Sequence, residues 1–177
     1  MSRRNETVAD SEGFDADGRL RGQAVHLLLE WLSEPAPVNE AIALQRLAAW
    51  AGRDAAEDDL QAWLAEARAV LAHPGLADLF DPARYETAWK EVPLQYLDNG
   101  VLVEGIVDRL VRHADRLLLI DYKTHRLGTA PAAQHAASFQ GQMRYYAAGA
   151  RRLWPQLPVE CGILYTHSRE LVLLDIL

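Results

Sequence analysis

The spacing of apolar residues changes once along this sequence, and that change limits the folds that the chain can adopt. In the ranges 22–32, 39–51 and 55–72, apolar residues recur three or four positions apart, which is typical of amphipathic helices. Beyond a polar connection that contains Asp81-Pro82, apolar residues alternate with polar ones, which is typical of strands. The sequence therefore predicts a helical first half followed by a sheet.

Three strands are predicted after the polar connection, over 87–96, 101–112 and 117–124. Asp98-Asn99-Gly100 predicts a hairpin turn between the first two strands, because Asn-Gly tolerates the positive φ that such turns need. A second turn is expected at His113-Ala-Asp115. The three strands should therefore form an antiparallel meander.

A helix over about 133–154 and two further strands, over 159–165 and 171–175, complete the predicted elements. This order is typical of an α/β domain in which helices flank a small mixed sheet. At 177 residues the chain is long enough for one such domain and too short for two. We expect residues 1–20 to be a flexible leader or linker, because they show no periodicity, and residues 21–177 to form the domain.

Composition excludes several classes of protein. No apolar run approaches the roughly 20 residues that span a bilayer, and the N-terminal residues lead into no apolar signal core. The single cysteine, Cys161, excludes a disulfide framework, a Cys-x-x-Cys zinc site and a four-cysteine iron–sulfur cluster. We therefore expect a protein of the reducing cytoplasm, without membrane contact and without an iron–sulfur cluster.

The formal net charge of −7 argues against nucleic-acid binding by bulk electrostatic attraction, because Lys and Arg supply most of the affinity for phosphate. Many basic residues nevertheless lie in the C-terminal half, where they could form a local basic face. They are Arg109, Arg112, Arg116, Lys123, Arg126, Arg144, Arg151 and Arg152. The five tryptophans could stack on bases, but most match apolar stripes and are expected in the core.

The segment 117–124 begins as a buried strand and ends with a carboxylate and an ammonium group two residues apart. The period of two places Asp121 and Lys123 on the same face of that strand. If the second turn spans residues 113–116, Asp108 on the preceding strand lies opposite Asp121. Opposed side chains of an antiparallel pair have Cβ atoms about 4.5–5.5 Å apart.

Two carboxylates this close raise each other's pKa unless a positive charge lies between them. Mg²⁺ suits that place, because it takes oxygen ligands, often uses only one or two protein carboxylates, and completes its shell with water and substrate phosphate. Lys123 could then orient the attacking water or stabilise developing charge. A simpler hypothesis is that Asp121 and Lys123 are solvated residues at a strand end, and the opposed Asp108 is what argues against it.

Separate segments of the chain carry a resemblance to a known family. They are Gly22-Gln-Ala-Val-His26, Gly105-Ile-Val-Asp-Arg109, Ile120-Asp-Tyr-Lys-Thr124 and Gln142-Met-Arg-Tyr-Tyr146. In this order and spacing they resemble the RecB/AddA-type nuclease domains of the PD-(D/E)XK superfamily, over nearly the whole chain from Arg21. The resemblance implies a restriction-endonuclease-like fold, in which a small mixed β-sheet is flanked by helices and preceded by a helical segment.

The resemblance also implies roles for individual residues. Asp108 and Asp121 would bind the metal and act in catalysis, His26 would add a metal contact, and Lys123 would be the catalytic lysine. Glu91 matches the acid that these nucleases carry before the Asp motif, where it would orient the lysine or the water. Without the resemblance, His26 fits an ordinary helix histidine and Glu91 fits a solvated strand carboxylate.

Gln142 and Tyr146 match a Gln-x-x-x-Tyr helix motif and, together with Arg109, are expected to contact the substrate or steady the active site. Tyr146 fits core packing nearly as well. Val107 occupies the position at which the superfamily name has proline, and that substitution weakens the resemblance little. Glu104 is an extra acid on the same strand, and the sequence leaves its role open.

We therefore expect a deoxyribonuclease, an exonuclease in the first instance, that depends on Mg²⁺ and accepts Mn²⁺ in its place. The resemblance implies that such a module cleaves single strands of DNA delivered by a helicase, in the same chain or complex, during recombinational repair of double-strand breaks. Two alternatives stay open. One is an inactive nuclease-like scaffold that binds DNA or a helicase partner, and the other is a small α/β interaction domain with an accidental Asp-x-Lys.

Overall fold

The computed structural model of this protein describes residues 16–33 and 36–176. Five strands form one mixed sheet: β1 (Thr87–Asp98), β2 (Val101–Arg112), β3 (Leu117–Lys123), β4 (Val159–Tyr165) and β5 (Glu170–Leu174). They lie side by side in chain order, and every pair is antiparallel except β3 with β4. The predicted α/β class with a small mixed sheet is confirmed.

Helices cover both faces of this sheet. They are α1 (Ala16–Leu32), α2 (Glu40–Ala51), α3 (Glu57–Leu71), α4 (Ala77–Phe80), α5 (Ala132–Ala136) and α6 (Gln140–Leu153). The buried residues of α1 to α4 share one apolar core with one face of the sheet, and those of α5 and α6 share a second core with the other face. Among the described residues, no helix is long and apolar enough to cross a membrane.

The first helix begins earlier than the sequence predicts. Residues 16–20 are expected to belong to a leader, but α1 begins at Ala16. Asp17 lies in the first turn of α1, where a negative charge is favourable, and Leu20 packs against the core. The start of α1 could not be predicted from these two contributions, because the segment is short and its apolar residues show no periodicity. The rest of the expected leader, residues 1–15, lies outside the described residues.

The predicted helix over 133–154 is split in two. A 3₁₀ turn at Ala137–Phe139 separates α5 from α6. Within it the Ser138 hydroxyl donates a 2.7 Å hydrogen bond to the His135 carbonyl, and such side-chain bonds compete with regular helix bonds. The break sets where α6 begins and therefore which of its residues face the sheet.

The two predicted turns fix the register of the central strands. Asn99 and Gly100 both have positive φ, 49° and 81°, as a tight hairpin between β1 and β2 requires. The His113 N–H donates to the Arg116 carbonyl at 2.9 Å and closes the turn between β2 and β3. Both turns are confirmed, and the ladder beyond the second turn begins with Arg112 opposite Leu117.

Strand β3 lies at the centre of the sheet and is buried on both faces. Leu118 and Ile120 belong to the core under α1 to α3, whereas Leu117 and Leu119 belong to the core under α6. A strand covered on both faces is apolar at every position, which explains its unbroken Leu-Leu-Leu-Ile run. Its polar C-terminal end lies within reach of both helical layers.

Candidate functional site

Asp108 on β2 and Asp121 on β3 lie where the ladder between these strands ends. The last backbone pair is Arg109 with Ile120, and one further residue along each strand brings Asp108 opposite Asp121. At this point the Tyr122 N–H donates a 2.6 Å hydrogen bond to Asp108 Oδ2. The two acids therefore occupy the opposed positions that the turn length predicted.

The charge of Asp108 is poorly compensated by its surroundings. Burial, and after it the charge of Asp121, raises the pKa of Asp108 to about 7, although the Tyr122 N–H and Lys123 act in the opposite direction. The Asp108 side chain is only 14 % exposed, so water does little to stabilise the carboxylate. A cation beside it would remove this penalty.

His26 approaches the acids from α1. Its Nδ1 lies 3.9 Å from Asp108 Oδ2, and its ring meets the Tyr122 ring edge-on, with centroids 5.5 Å apart. Burial lowers the pKa of His26, while the charges of Asp121 and Glu91 oppose that effect. A lowered pKa keeps the imidazole neutral near pH 7, and the neutral form is the one that binds a metal.

Glu91 interrupts the ladder between β1 and β2. Lys90 pairs with Arg109 and Val92 pairs with Val107, but Glu91 between them has no paired residue and has a φ of +49°. A residue other than glycine rarely adopts this conformation, and such strain concentrates at functional sites. Glu91 is an exposed residue, but partial desolvation of its carboxyl, followed by the charge of Asp108, raises its pKa.

His26, Glu91 and Asp108 together form the candidate metal cluster, with one potential ligand atom from each, all within 4.8 Å of one another. Ligands held about 2.1 Å from one Mg²⁺ are at most about 4.2 Å apart, so a shift of a few tenths of an ångström brings these atoms into range. The two carboxylates suit Mg²⁺ or Mn²⁺, whereas the imidazole is a ligand more typical of softer divalent metals. The sequence had predicted Asp121, rather than Glu91, as the third member.

Asp121 lies beside this cluster with different partners. Lys123 Nζ lies 2.9 Å from Asp121 Oδ2, and Gln142 Nε2 donates a 3.2 Å hydrogen bond to Oδ1. The lysine is not aligned for a hydrogen bond, so the buried Oδ2 accepts none from the described residues. Lys123 Nζ also lies 4.1 Å from the centre of the Phe139 ring. Asp121 thus has a counterion and an oxygen with free lone pairs, which makes it a fitting neighbour for a cation.

Gln142 connects Asp121 to the helix motif predicted from the sequence. Its Nε2 also donates a 2.9 Å hydrogen bond to the Tyr146 hydroxyl. Tyr146 is buried and packs on β2 at Gly105, where an added Cβ would lie 2.4 Å from Tyr146 Cε1. Gly105 therefore makes room for Tyr146, and Tyr146 in turn supports the amide that holds Asp121. The sequence places Gly105 in a motif but does not indicate this role.

Arg109, which the sequence predicted to contact the substrate, lies in the core and away from the candidate metal cluster. Its side chain is fully buried, donates to the Leu79 carbonyl at 2.7 Å and to Ser33 Oγ at 3.1 Å, and stacks 4.7 Å from the Phe80 ring centre. It therefore holds α4 and the end of α1 against the sheet. The same alternation that placed Asp108 at the site sends the side chain of its neighbour to the other face.

A set of contacts that the sequence did not predict holds α1 against the end of β3. Arg21 donates from Nη1 to the Thr124 carbonyl at 2.7 Å and from Nη2 to Glu66 at 2.5 Å. Gly22 permits the approach, because an added Cβ would lie 2.7 Å from Thr124 Oγ1. These contacts lie one helical turn before His26 and fix its position. In the sequence, the motif from Gly22 to His26 was the feature that pointed to this part of α1.

The predicted local basic face is smaller than the sequence suggested. Arg112, Arg116 and Arg152 form ion pairs with Glu86, Asp78 and Asp98, at 3.1, 3.2 and 3.1 Å. The extra acid Glu104 is exposed, accepts a 2.7 Å hydrogen bond from Gln95 and is not a member of the metal cluster. Arg126, Arg144 and Arg151 are exposed.

A groove of about 480 Å³ runs along α1 to the candidate metal cluster. Its lining residues are Arg19, Gly22, Gln23, His26, Leu27, Glu30, Trp50 and Glu91. Most tryptophans are buried or partly buried as predicted, and Trp63 is only 7 % exposed. Trp50 and Trp89 are instead 41 % and 37 % exposed, and Trp50 forms part of this groove.

Comparison with known proteins identifies similar sequences. A family model described as the PD-(D/E)XK nuclease superfamily matches residues 2–172. The chain is 45 % identical over 50 residues to an ATP-dependent helicase/nuclease subunit of Desulforudis audaxviator, covering 28 % of this chain and 4 % of that protein. It is 30 % identical over 86 residues to the protein of the same name from Clostridium kluyveri, covering 48 % and 7 %. The chain thus spans only a small fraction of these relatives.

A solved structure, that of protein VC1899 from Vibrio cholerae, aligns with 81 % of this chain and 50 % of its own. The TM-score is 0.31 and the sequence identity is 12 %. A likeness this weak supports no conclusion about the site.

Proposed function

This chain belongs to the PD-(D/E)XK nuclease superfamily, and we propose that it is a magnesium-dependent deoxyribonuclease, an exonuclease in the first instance. The observation that carries the proposal is the candidate metal cluster of His26, Glu91 and Asp108 beside the Asp121–Lys123 pair. Poorly compensated acids, a neutral imidazole and a partly buried lysine are what hydrolysis of a phosphodiester requires. A solvated strand end would show none of these features together.

A divalent cation at the cluster would polarise the scissile phosphate and lower the pKa of a bound water. His26, Glu91 and Asp108 would hold it, and Asp121 would add its Oδ2, which accepts no hydrogen bond from the described residues. Lys123 donates to the phosphate oxygen on which negative charge develops. Asp121 holds this ammonium in place through the 2.9 Å ion pair.

We also propose that the chain works as part of, or beside, a helicase that delivers single strands, in the cytoplasm and in recombinational repair of double-strand breaks. Support comes from the relatives whose names describe ATP-dependent helicase/nuclease subunits, of which the chain matches a small part. The net charge of −7 agrees, because it predicts weak binding of free DNA. Delivery by a motor would compensate for that weak binding.

The test is digestion of labelled single-stranded and double-stranded DNA with Mg²⁺, with Mn²⁺ and with EDTA. We expect cleavage of single strands with either metal and none in EDTA. Asp121→Asn should abolish cleavage, and Glu104→Gln, an exposed acid on the same strand as Asp108, serves as the matched control and should cleave like the parent. DNA binding without cleavage under every condition would favour the inactive scaffold.

A further inference from the structure

The groove along α1 contains a regular polar stripe. Arg19, Gln23, His26 and Glu30 are spaced by four, three and four residues, so they share one face of the helix. At 1.5 Å per residue the stripe extends over about 16 Å and passes the metal cluster at His26. A polar track of this kind can follow the backbone of an extended ligand.

Trp50 also lines the groove. Helix α2 buries Ala43, Leu47 and Ala51, so its packing does not depend on Trp50, which lies 41 % exposed near the end of the helix. A single exposed aromatic residue is common on protein surfaces, and what distinguishes Trp50 is that it lines the groove together with His26 of the cluster. Trp50 and Glu91 line the same groove, so a ligand there would touch both the ring and the cluster.

The groove has the size of a small-ligand site, since its volume of about 480 Å³ falls within the roughly 300–1,000 Å³ of such sites. An indole stacks well on any nucleobase, without sequence preference, provided that the base is not stacked on its neighbours. The bases of a duplex are stacked and present no free face. A groove lined by an aromatic ring and by polar side chains therefore suits a single strand better than a duplex.

Resting on the proposed nuclease function, we propose that this groove binds the unstacked base next to the scissile phosphate, with Trp50 stacked on that base. Arg19 and Gln23 of the α1 stripe contact the adjoining backbone, and the phosphate reaches the cluster at His26 and Glu91. Trp50 is then a specificity-determining residue that favours single-stranded over double-stranded DNA, although it takes no part in the chemistry.

The test measures binding by fluorescence anisotropy in EDTA, which prevents cleavage, at low salt. The probes are a labelled single strand, a strand of equal length whose central nucleotides are abasic, and a duplex. We expect Trp50→Ala to weaken binding of the single strand roughly 5- to 100-fold, and Trp50→Phe to weaken it less, because base stacking contributes ~1–3 kcal/mol per base. Binding of the abasic strand should be weak and equal for the parent and both variants.

Ile42→Ala is the matched control, because Ile42 is 46 % exposed on the same helix but does not line the groove. Circular dichroism establishes that each variant is folded, and Trp50→Phe still tests the proposal if Trp50→Ala is not. Equal binding of the intact strand by the parent and both Trp50 variants would overturn the proposal and assign the groove to a protein contact. An equal loss on the abasic strand would also overturn it.

Cleavage with Mg²⁺ separates this proposal from the proposed function. If the parent cleaves single strands and Trp50→Ala cleaves and binds them equally well, only the groove assignment is wrong. If the parent binds single strands through Trp50 but cleaves no DNA with either metal, the nuclease function is wrong and the groove stands as a binding site.

Discussion

The two sides of the site differ in how their acids are compensated. On the α1 side, Glu91 and Asp108 have raised pKa values and form no ion pair with Lys or Arg among the described residues. On the α6 side, Asp121 is paired with Lys123 and receives a hydrogen bond from Gln142. Under the proposed function this difference would be a division of labour, in which the uncompensated side binds a cation and the compensated side positions the ammonium of Lys123.

The largest effect should come from the compensated side. Lys123→Ala should lower kcat about 10²- to 10³-fold, the usual loss when one group that stabilises the transition state is removed. Magnesium affinity should be retained or increased, because a positive charge near the cluster is gone. Single-turnover cleavage and a magnesium titration together check this, and Glu104→Gln should match the parent in both. Loss of metal binding in Lys123→Ala would contradict the assignment of metal binding to one side of the site and of Lys123 to the other.

The second effect concerns the uncompensated side without metal. The pKa of Asp108 is about 7 in the folded protein and 3.8 in the unfolded reference, so the folded state holds this proton more tightly. The stability from protonated Asp108 is complete below pH 3.8 and is lost as the pH rises through 7. At about 1.4 kcal/mol per pKa unit, the loss is of the order of 4 kcal/mol.

Urea unfolding in EDTA between pH 4 and 8 measures this loss. The free energy of unfolding of the parent, relative to Asp108→Asn, should fall over that range, since the variant cannot ionise at position 108. The comparison with the variant cancels the opposite contribution of His26, whose pKa is lowered. A difference that is constant with pH would mean that the charge of Asp108 is already compensated.

Gly105 tests how the compensated side is supported. Gly105→Ala should cost about 1–3 kcal/mol of stability, because the new Cβ meets the Tyr146 ring and forces it to move. Cleavage should fall as well, since Tyr146 supports Gln142 and thereby Asp121. Gly141→Ala is the control, because a Cβ there meets nothing within 4 Å and alanine favours a helix. Chemical denaturation of both variants would show equal stability if Tyr146 can adjust freely.

The smallest effect should come from His26, a neutral ligand added to acids. We expect His26→Ala to weaken magnesium binding about tenfold, which corresponds to ~1.4 kcal/mol, and to lower activity without abolishing it. His167→Ala, at an exposed turn, should leave the titration unchanged. An unaltered magnesium dependence of His26→Ala would reduce His26 to a packing partner of Tyr122.

The sequence predicted the strands and the opposed pair of acids because short-range signals determine them. The period of two sets the faces, Asn99-Gly100 sets one turn, and a turn of known length sets the register of Asp108 with Asp121. The place of Glu91 could not be predicted, because its positive φ arises from the tertiary structure and leaves no mark in a strand pattern.

The burial of Arg109 was not expected for a different reason. The alternation that places Asp108 at the site also places Arg109 on the opposite face, whereas its position in the family motif suggested a substrate contact. The exposure of Trp50 could not be predicted either, because its spacing on α2 resembles that of core residues and only the packed structure shows which of them lie exposed.

Calorimetric titration of the parent and Asp108→Asn with Mg²⁺ at pH 8 tests the central claim most directly. The claim is that the acids without a counterion on the α1 side form a cation site. The account predicts saturable binding by the parent, loss of that binding in Asp108→Asn, and retained binding in Lys123→Ala. Absence of magnesium binding by the folded parent, or equal binding by Asp108→Asn, would contradict it.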